Sequence, residues 1–334
     1  MTDNRERYVE SARRAARWIV DRQRPDGSFC DVEAGVGGYY KVPYALAAAG
    51  FVPEAMRLLN WVRAHHFTAE GDFRAPSRKA TLSFHEDWPM YSSAWLIQGA
   101  HRLGRFDLSF RGAEFLCGYQ AACGGFHAPE RENSPIDTLS TSWAGLAELT
   151  VGNLDVARAA VRCIEGLVSQ QPDPARFYFR VTPEGTLVTD VPEGQELGFL
   201  VDSSRDQQIY FHPGIALILL CRWHQATAEA SALEAGRTIF DFTQRCQGDV
   251  YCFPPSGKLG FGCALLASIT GDPKAGEAAR SVADYLVSTQ GDDGCWILPD
   301  VAIYEIIEDK KDPEILLDVT AEFTTFLCEI AVLL

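Results

Sequence analysis

The sequence predicts an all-α protein, a closed double ring assembled from six helical hairpins. Three observations lead there: a glycine turn that recurs along the chain, a second element repeated at helix ends, and a regular alternation of one-sided and all-round apolar helices. The turns are Ala49-Gly50-Phe51-Val52-Pro53-Glu54, Leu103-Gly104-Arg105-Phe106-Asp107, Val151-Gly152-Asn153-Leu154-Asp155 and Thr270-Gly271-Asp272-Pro273. In each, Gly stands where a helix ends in the left-handed conformation, and the acidic residue or Pro behind it suits the next helix start. They recur about every 50 residues, with one double interval whose missing turn falls near Thr227.

The second element is a helix ending in Gln and followed by Gly and an aromatic. It reads Trp18 … Gln23 … Gly27-Ser28-Phe29, then Phe115 … Gln120 … Gly124-Gly125-Phe126, then Tyr285 … Gln290 … Gly294-Cys295-Trp296. Weaker copies lie at Trp61 … Phe73, Leu167 … Phe177 and Phe240 … Tyr251.

Taken in order, the first helix (3–22) is amphipathic, with Arg5, Arg7, Arg13, Arg14 and Arg17 set against Glu10 and Asp21 on a solvated face. The second (39–49) is apolar on every side, the mark of a buried helix. The one-sided stripe returns at 53–66, which ends in His65-His66, where an imidazolium complements the helix C-terminus. Striped helices at 107–122, 155–170, 231–246 and 273–289 then alternate with enveloped ones at 88–103, 137–151, 206–227, 257–270 and 318–334. In the stripe of 273–289, Ala279, Val282, Ala283, Leu286 and Val287 recur with the 3.6-residue period. Six amphipathic helices around six enveloped ones bury their faces fully only as a closed ring, so residues 1–334 are expected to form one domain.

Connections sort by length. Inner-to-outer links are the tight glycine turns, whereas outer-to-inner links are long, which puts the functional end where the inner helices begin. The longest of these, 178–205, is entered by an alternating pair around Pro183-Glu184-Gly185, a β-hairpin expected within 176–191 and a candidate lid.

The alternation and the Gln … Gly-x-Phe/Trp helix ends resemble the α/α-toroid proteins of the terpenoid cyclase and protein prenyltransferase type, which implies an (α/α)6 toroid. Sugar epimerases, glycosidases and lyases use similar double rings, so the resemblance implies fold more than chemistry. The acid motif of class II terpene cyclases is absent, since Asp292-Asp293 is followed by Gly, and Asp202-Ser203-Ser204-Arg205-Asp206 is no diphosphate–metal motif. Asp249-Val250-Tyr251-Cys252 only faintly echoes a prenyltransferase zinc site, and no His follows His224. There is no Cys-His pair and no glycine-rich nucleotide loop, so neither a metal nor a cofactor is expected.

The surplus of 45 Asp+Glu over 30 Lys+Arg, a net charge of −15, argues against nucleic acid or an anionic membrane as partner. The N-terminus is charged with no apolar stretch behind it, and no apolar run approaches transmembrane length. The ten cysteines lack any CxxC pair, and several sit in apolar helical patterns as small hydrophobes. A cytoplasmic protein acting on a small molecule is expected, with oligomeric state open.

The first turns of the inner helices carry the candidate site. Tyr40, Tyr44, Trp88, Trp95, Thr141, Trp143, Tyr210, Phe261 and Phe323 would wall a pocket for substrate. Asp137, Asp206, His212, Tyr91 and Lys41 are the candidate catalytic groups. Asp137, Asp206 and Asp318 each read first as N-caps, held low in pKa, and, if they instead face an apolar cavity, as acids or bases with raised pKa. His212, before Pro213 in an aromatic run, suits proton transfer near neutral pH. Lys41 and Lys258 oppose the helix dipole and so call for a partner or a task. His85, Glu86 and Asp87 read as a solvated rim. The reading that follows is a cofactor-free biosynthetic cyclase or isomerase, with a pericyclic reaction as one form, folding a largely apolar polyene or terpenoid-derived molecule. A carbohydrate-active enzyme and a non-catalytic binding toroid are the alternatives.

Overall fold

The computed structural model describes residues 4–81, 88–128, 134 and 136–334. Twelve α-helices are present among the described residues. Six line the inside: α2 (Val42–Ala49), α4 (Pro89–Arg102), α6 (Thr138–Val151), α8 (Phe211–Thr227), α10 (Gly257–Thr270) and α12 (Pro313–Leu333). Six run outside: α1 (Asn4–Val20), α3 (Val52–His65), α5 (Phe106–Cys117), α7 (Leu154–Ser169), α9 (Ala230–Thr243) and α11 (Pro273–Thr289). Each inner helix packs on the next, and α12 returns to α2, so the inner ring is closed. This is the α/α-toroid fold.

The alternation follows from burial. Every residue of α4 from Pro89 to Ala100 is buried, whereas α7 buries one stripe, Ala157, Ala160, Val161, Cys163, Ile164, Leu167 and Val168. No helix among the described residues is long and apolar enough to cross a membrane.

The repeated Gln has a mechanical role. The side-chain amide of Gln23 donates to the carbonyls of Gly27 and Glu54, that of Gln120 to Gly124 and Val156, and that of Gln290 to Gly294 and Ser11. Each Gln thus closes its own turn and pins it to the neighbouring outer helix. Gly124 has φ +88°, and a Cβ there would lie 2.2 Å from the Ala159 carbonyl oxygen, so the turn accepts no side chain. At Gln290 the same device joins the last hairpin to the first helix. Tyr8 Oη donating to Asp284 at 2.8 Å and an Arg7–Asp284 ion pair complete that seam. Part of the arginine face of α1 therefore closes the ring; it is not wholly solvated.

Gly50, Gly152 and Gly271 take the left-handed C-cap conformation, as their turns require. The junction without glycine is held by Ala228, which adopts φ +60° at the end of α8. His66 departs from expectation: its ring is buried, bonded to Tyr39 Oη and the Val32 carbonyl, and burial pushes its pKa down. It is a neutral, structural imidazole, not an imidazolium on the helix dipole.

Four short strands decorate the open end. β2 (Arg176–Tyr178) pairs antiparallel with β4 (Leu200–Asp202), and β1 (Ile136–Asp137) with β3 (Arg180–Val181). The turn anticipated at 183–185 closes through Thr182 N to the Thr186 carbonyl and a Val181–Leu187 bridge. The residues before it are divided between two pairings, because the start of α6 lies close enough to take Arg180–Val181 as a partner.

Candidate functional site

At the open end, where all six inner helices begin, lies a chamber of about 520 Å³. Its wall is mostly apolar. Leu139, Ile209, Phe211, Ile315, Val319 and Phe323 come from or just before inner helices, and Leu298, Ile303, Tyr304, Ile306 and Ile307 from the link between α11 and α12. Leu197 and Ile306, the latter 73% exposed, mark the mouth. The volume falls in the range of about 300–1,000 Å³ that drug-sized ligands occupy.

Four charged groups form one side. Lys41, at the start of α2, bonds Asp318 at 2.9 Å and Glu322; Lys258, in the first turn of α10, also bonds Glu322. Asp318 and Glu322 are one turn apart on α12, so a single helix face supplies both carboxylates. Asp318 was expected at a helix start, but α12 begins at Pro313 under the cap of Asp312, and Asp318 lies inside it. Burial opposes the charge on both lysines. For Lys41 two carboxylates overcome it and raise its pKa, whereas for Lys258 burial and repulsion from Lys41 outweigh Glu322 and Asp318, and its pKa falls. Lys258 faces the chamber with N–H donors beyond the one given to Glu322. Tyr40 and Tyr91 pack edge-on at 5.9 Å beside it, their phenols pushed up by burial.

Asp137 and His212 stand on adjoining inner helices. Asp137 is the N-cap of α6: its Oδ1 accepts the Ser140 amide at 2.7 Å, and Oδ2 accepts the Trp88 indole N–H at 2.9 Å. Capping and a raised pKa, alternatives in the sequence, meet in one residue. The two donated bonds favour the carboxylate, yet burial outweighs them and raises its pKa. No cation among the described residues is within ion-pair distance of it. His212 lies flat on Phe179, with ring centroids 3.7 Å apart, and its Nδ1 is 2.8 Å from Thr138 Oγ1. Burial, then the nearby Arg180 and Lys258 charges, push its pKa well below the ordinary value, so the ring is neutral.

The remaining candidates sort plainly. Tyr40, Lys41, Trp88, Tyr91, Asp137, His212 and Phe323 line the chamber. Six others do not, because they are spent on packing. Tyr44 donates to Glu329 at 2.9 Å, Thr141 Oγ1 accepts the Phe126 amide, and Tyr210 donates to Asp249 at 2.7 Å. Trp95 and Trp143 pack on each other at 4.3 Å, and Phe261 lies against Phe326. Asp206 is exposed on the loop before α8, which begins only at Phe211, so it is neither cap nor cavity acid. His85, Glu86 and Asp87 lie outside the described residues.

Phe179 and Arg180 were not foreseen. They reach the chamber because Arg180 pairs with Asp137 across β3 and β1, a long-range pairing with no local signature. The apolar 301–307 segment was not named either, though Ile303, Ile306 and Ile307, unusual in a long link, were the signal that could have found it. Among the described residues no three His, Cys, Asp or Glu side chains gather as a metal site.

No protein-family description matches the sequence, and no curated protein matches it. Solved structures do. A D-mannose isomerase aligns with TM-score 0.67 at 12% identity, over 99% of this chain and 99% of that one. An α-1,6-mannanase of family GH76 from Salegentibacter aligns with TM-score 0.61 at 12% identity, over 98% of this chain and 100% of that one. A type II terpene cyclase from Scytonema, in complex with its substrate geranylgeranyl dihydroxybenzoate, aligns with TM-score 0.61 at 13% identity, over 99% of each chain. All three are α/α-toroid enzymes, and at these identities the likeness is one of fold.

Proposed function

We propose that this chain is a cyclase or isomerase that folds a largely apolar small molecule inside the open-end chamber. The observation that carries the reading is the make-up of the wall: aliphatic and aromatic side chains over most of it, with a few titratable groups, chiefly Lys41, Asp137, His212, Lys258 and Glu322, set among them. An apolar body would lie against Ile303, Ile315, Val319 and Phe323, and a carbonyl or carboxylate end would take the free donors of Lys258. Holding such a molecule in its reactive shape contributes several kcal/mol by orientation alone. The pKa of Asp137 is pushed up and that of His212 down, the opposed displacement that suits an acid and a base in one site. With Nδ1–H donated to Thr138 Oγ1, Nε2 of His212 is the base that takes a proton, and Asp137, in its protonated form, is the acid that returns one. Tyr40, Tyr91 and Trp88 rings would stabilise developing positive charge by about 0.5–2 kcal/mol each. No step here requires a cofactor.

Glycoside hydrolysis receives less support. Of the three carboxylates that line the chamber among the described residues, Asp318 and Glu322 are held in lysine bridges, which leaves Asp137 without a facing carboxylate among those residues. Two inactive variants of the Salegentibacter mannanase replace two consecutive aspartates, whereas the consecutive pair here, Asp292-Asp293, lies on the outside, with Asp293 bonded to Trp18.

Trp88 in the chamber wall provides the test. Titration with farnesoic acid should change tryptophan fluorescence saturably with Kd in the micromolar range, about −8 kcal/mol, and a Trp88→Phe variant should lose most of that change. Mannose and mannobiose should leave it unchanged. Saturable response to the sugars with none to the polyene acid would overturn the reading.

A further inference from the structure

Ten cysteines are free, and among the described residues one pair meets: Cys123 Sγ lies 3.9 Å from Cys163 Sγ. They are far apart in sequence and belong to different repeats of the ring. Cys123 sits on the turn after α5, the turn that Gln120 pins to α7, and Cys163 points inward from α7. The same hydrogen bonds that hold the turn therefore hold the two sulfurs together. We propose that Cys123 and Cys163 are a redox-active dithiol that a hydroperoxide converts to a disulfide.

Three features beyond proximity fit the two thiols to different tasks. Cys123 is partly exposed in a surface depression of about 360 Å³, whereas Cys163 is 7% exposed. Arg158, Arg162 and Asp155 line that depression, with Arg158 bridging Asp155 and Glu229, and a small peroxide has room to approach. Hydrogen bonding between the sulfurs lowers the Cys123 pKa and raises that of Cys163. Cys123 is thus the attacking sulfur and Cys163 the resolving one.

The chemistry balances with the hydroperoxide as oxidant. The Cys123 thiolate attacks the terminal peroxide oxygen, the O–O bond breaks, and the displaced oxygen leaves as alcohol or water after taking a proton. Cys123 is then a sulfenic acid. The Cys163 sulfur attacks the Cys123 sulfur and displaces hydroxide, which leaves as water with the Cys163 proton. Two thiols are oxidised and one peroxide is reduced. The Cys123 amide also donates to the Pro183 carbonyl at 3.3 Å, so the disulfide would form directly behind the turn whose base carries Phe179 and Arg180.

The test treats the full chain with hydrogen peroxide, alkylates the remaining thiols and maps the peptides by mass. A Cys123–Cys163 linked peptide should form about tenfold faster than exposed Cys252 loses its alkylation, and dithiothreitol should abolish it. In Cys163→Ala, Cys123 should accumulate a dimedone-reactive sulfenic acid; in Cys123→Ala, Cys163 should stay reduced. If either variant fails to fold by circular dichroism, the wild-type peptide map decides. Cys123 and Cys163 surviving peroxide as long as Cys252, or Cys123 linking to other cysteines as readily as to Cys163, would overturn the proposal.

Discussion

Glu322 is the keystone of the charged side of the chamber, and replacing it by Gln tests that description most sharply. Lys41 retains Asp318 in the variant, but Lys258, with only 6% of its side chain exposed, loses its carboxylate. Removing one partner from a buried pair typically costs about 3–5 kcal/mol, since the other charge is left uncompensated. At about 2 °C per kcal/mol for a chain of this size, the melting temperature should fall by about 6–10 °C, read by circular dichroism at pH 7. The defect should shrink as pH rises toward 10.5. A lysine with a lowered folded pKa destabilises the native state below the unfolded value, and the penalty fades as the unfolded chain also deprotonates. Adding Lys258→Met removes the stranded charge while keeping its volume, so the double variant should recover at least half the loss. A Glu322→Gln protein melting within about 1 °C of wild type, or a double variant no more stable than the single one, would refute the reasoning.

Three further outcomes follow from other parts of the ring. Glu148 is buried beside Cys117, accepts from Asn153 at 3.0 Å, and is pushed up to about 7 by burial. Its ionisation therefore costs stability that is present below pH 4.5 and lost as pH rises through 7; Glu148→Gln should stabilise by up to about 3 kcal/mol at pH 8 and progressively less toward pH 4.5 in chemical denaturation. Ala228→Gly should add about 0.5–1 kcal/mol, because only this junction makes a side chain adopt φ +60° where its counterparts use glycine; unchanged denaturation midpoints would contradict that. His212→Phe should flatten the stability loss of the wild type as pH falls below 6.5, where the unfolded chain binds a proton that the buried ring refuses, by at most about 1.4 kcal/mol per pH unit. An identical acid slope in both proteins would mean that His212 titrates normally.

The ring itself was legible because its causes are local. Gly50, Gly152 and Gly271 end helices through their own backbone freedom, and the Gln-to-Gly spacing of four is a contact made within one turn. Whether a helix was striped or enveloped told inside from outside. The missing turn near Thr227 was located without glycine, and Ala228 occupies it. The site was legible only in outline. Trp88, Asp137 and His212 stand at true inner-helix starts, but Tyr44, Trp95 and Tyr210, chosen by the same rule, are spent on packing, because position along a helix does not tell which way a side chain points. Lys41 and Lys258 looked unfavourable at their helix starts until α12 supplied Asp318 and Glu322 from the far end of the chain. Arg180, and the meeting of Cys123 with Cys163, depend on contacts between repeats that no short segment encodes.

The central claim is that the open-end chamber receives an apolar molecule with its polar end at Lys258. A crystal structure of the chain soaked with farnesoic acid tests it most directly. The expected result is a carboxylate oxygen about 2.7–3.2 Å from Lys258 Nζ, with the polyene along Ile303, Ile315 and Phe323. A chamber that stays empty under saturating polyene acid, or one that instead takes a mannose ring with its hydroxyls on Asp137, would contradict the account.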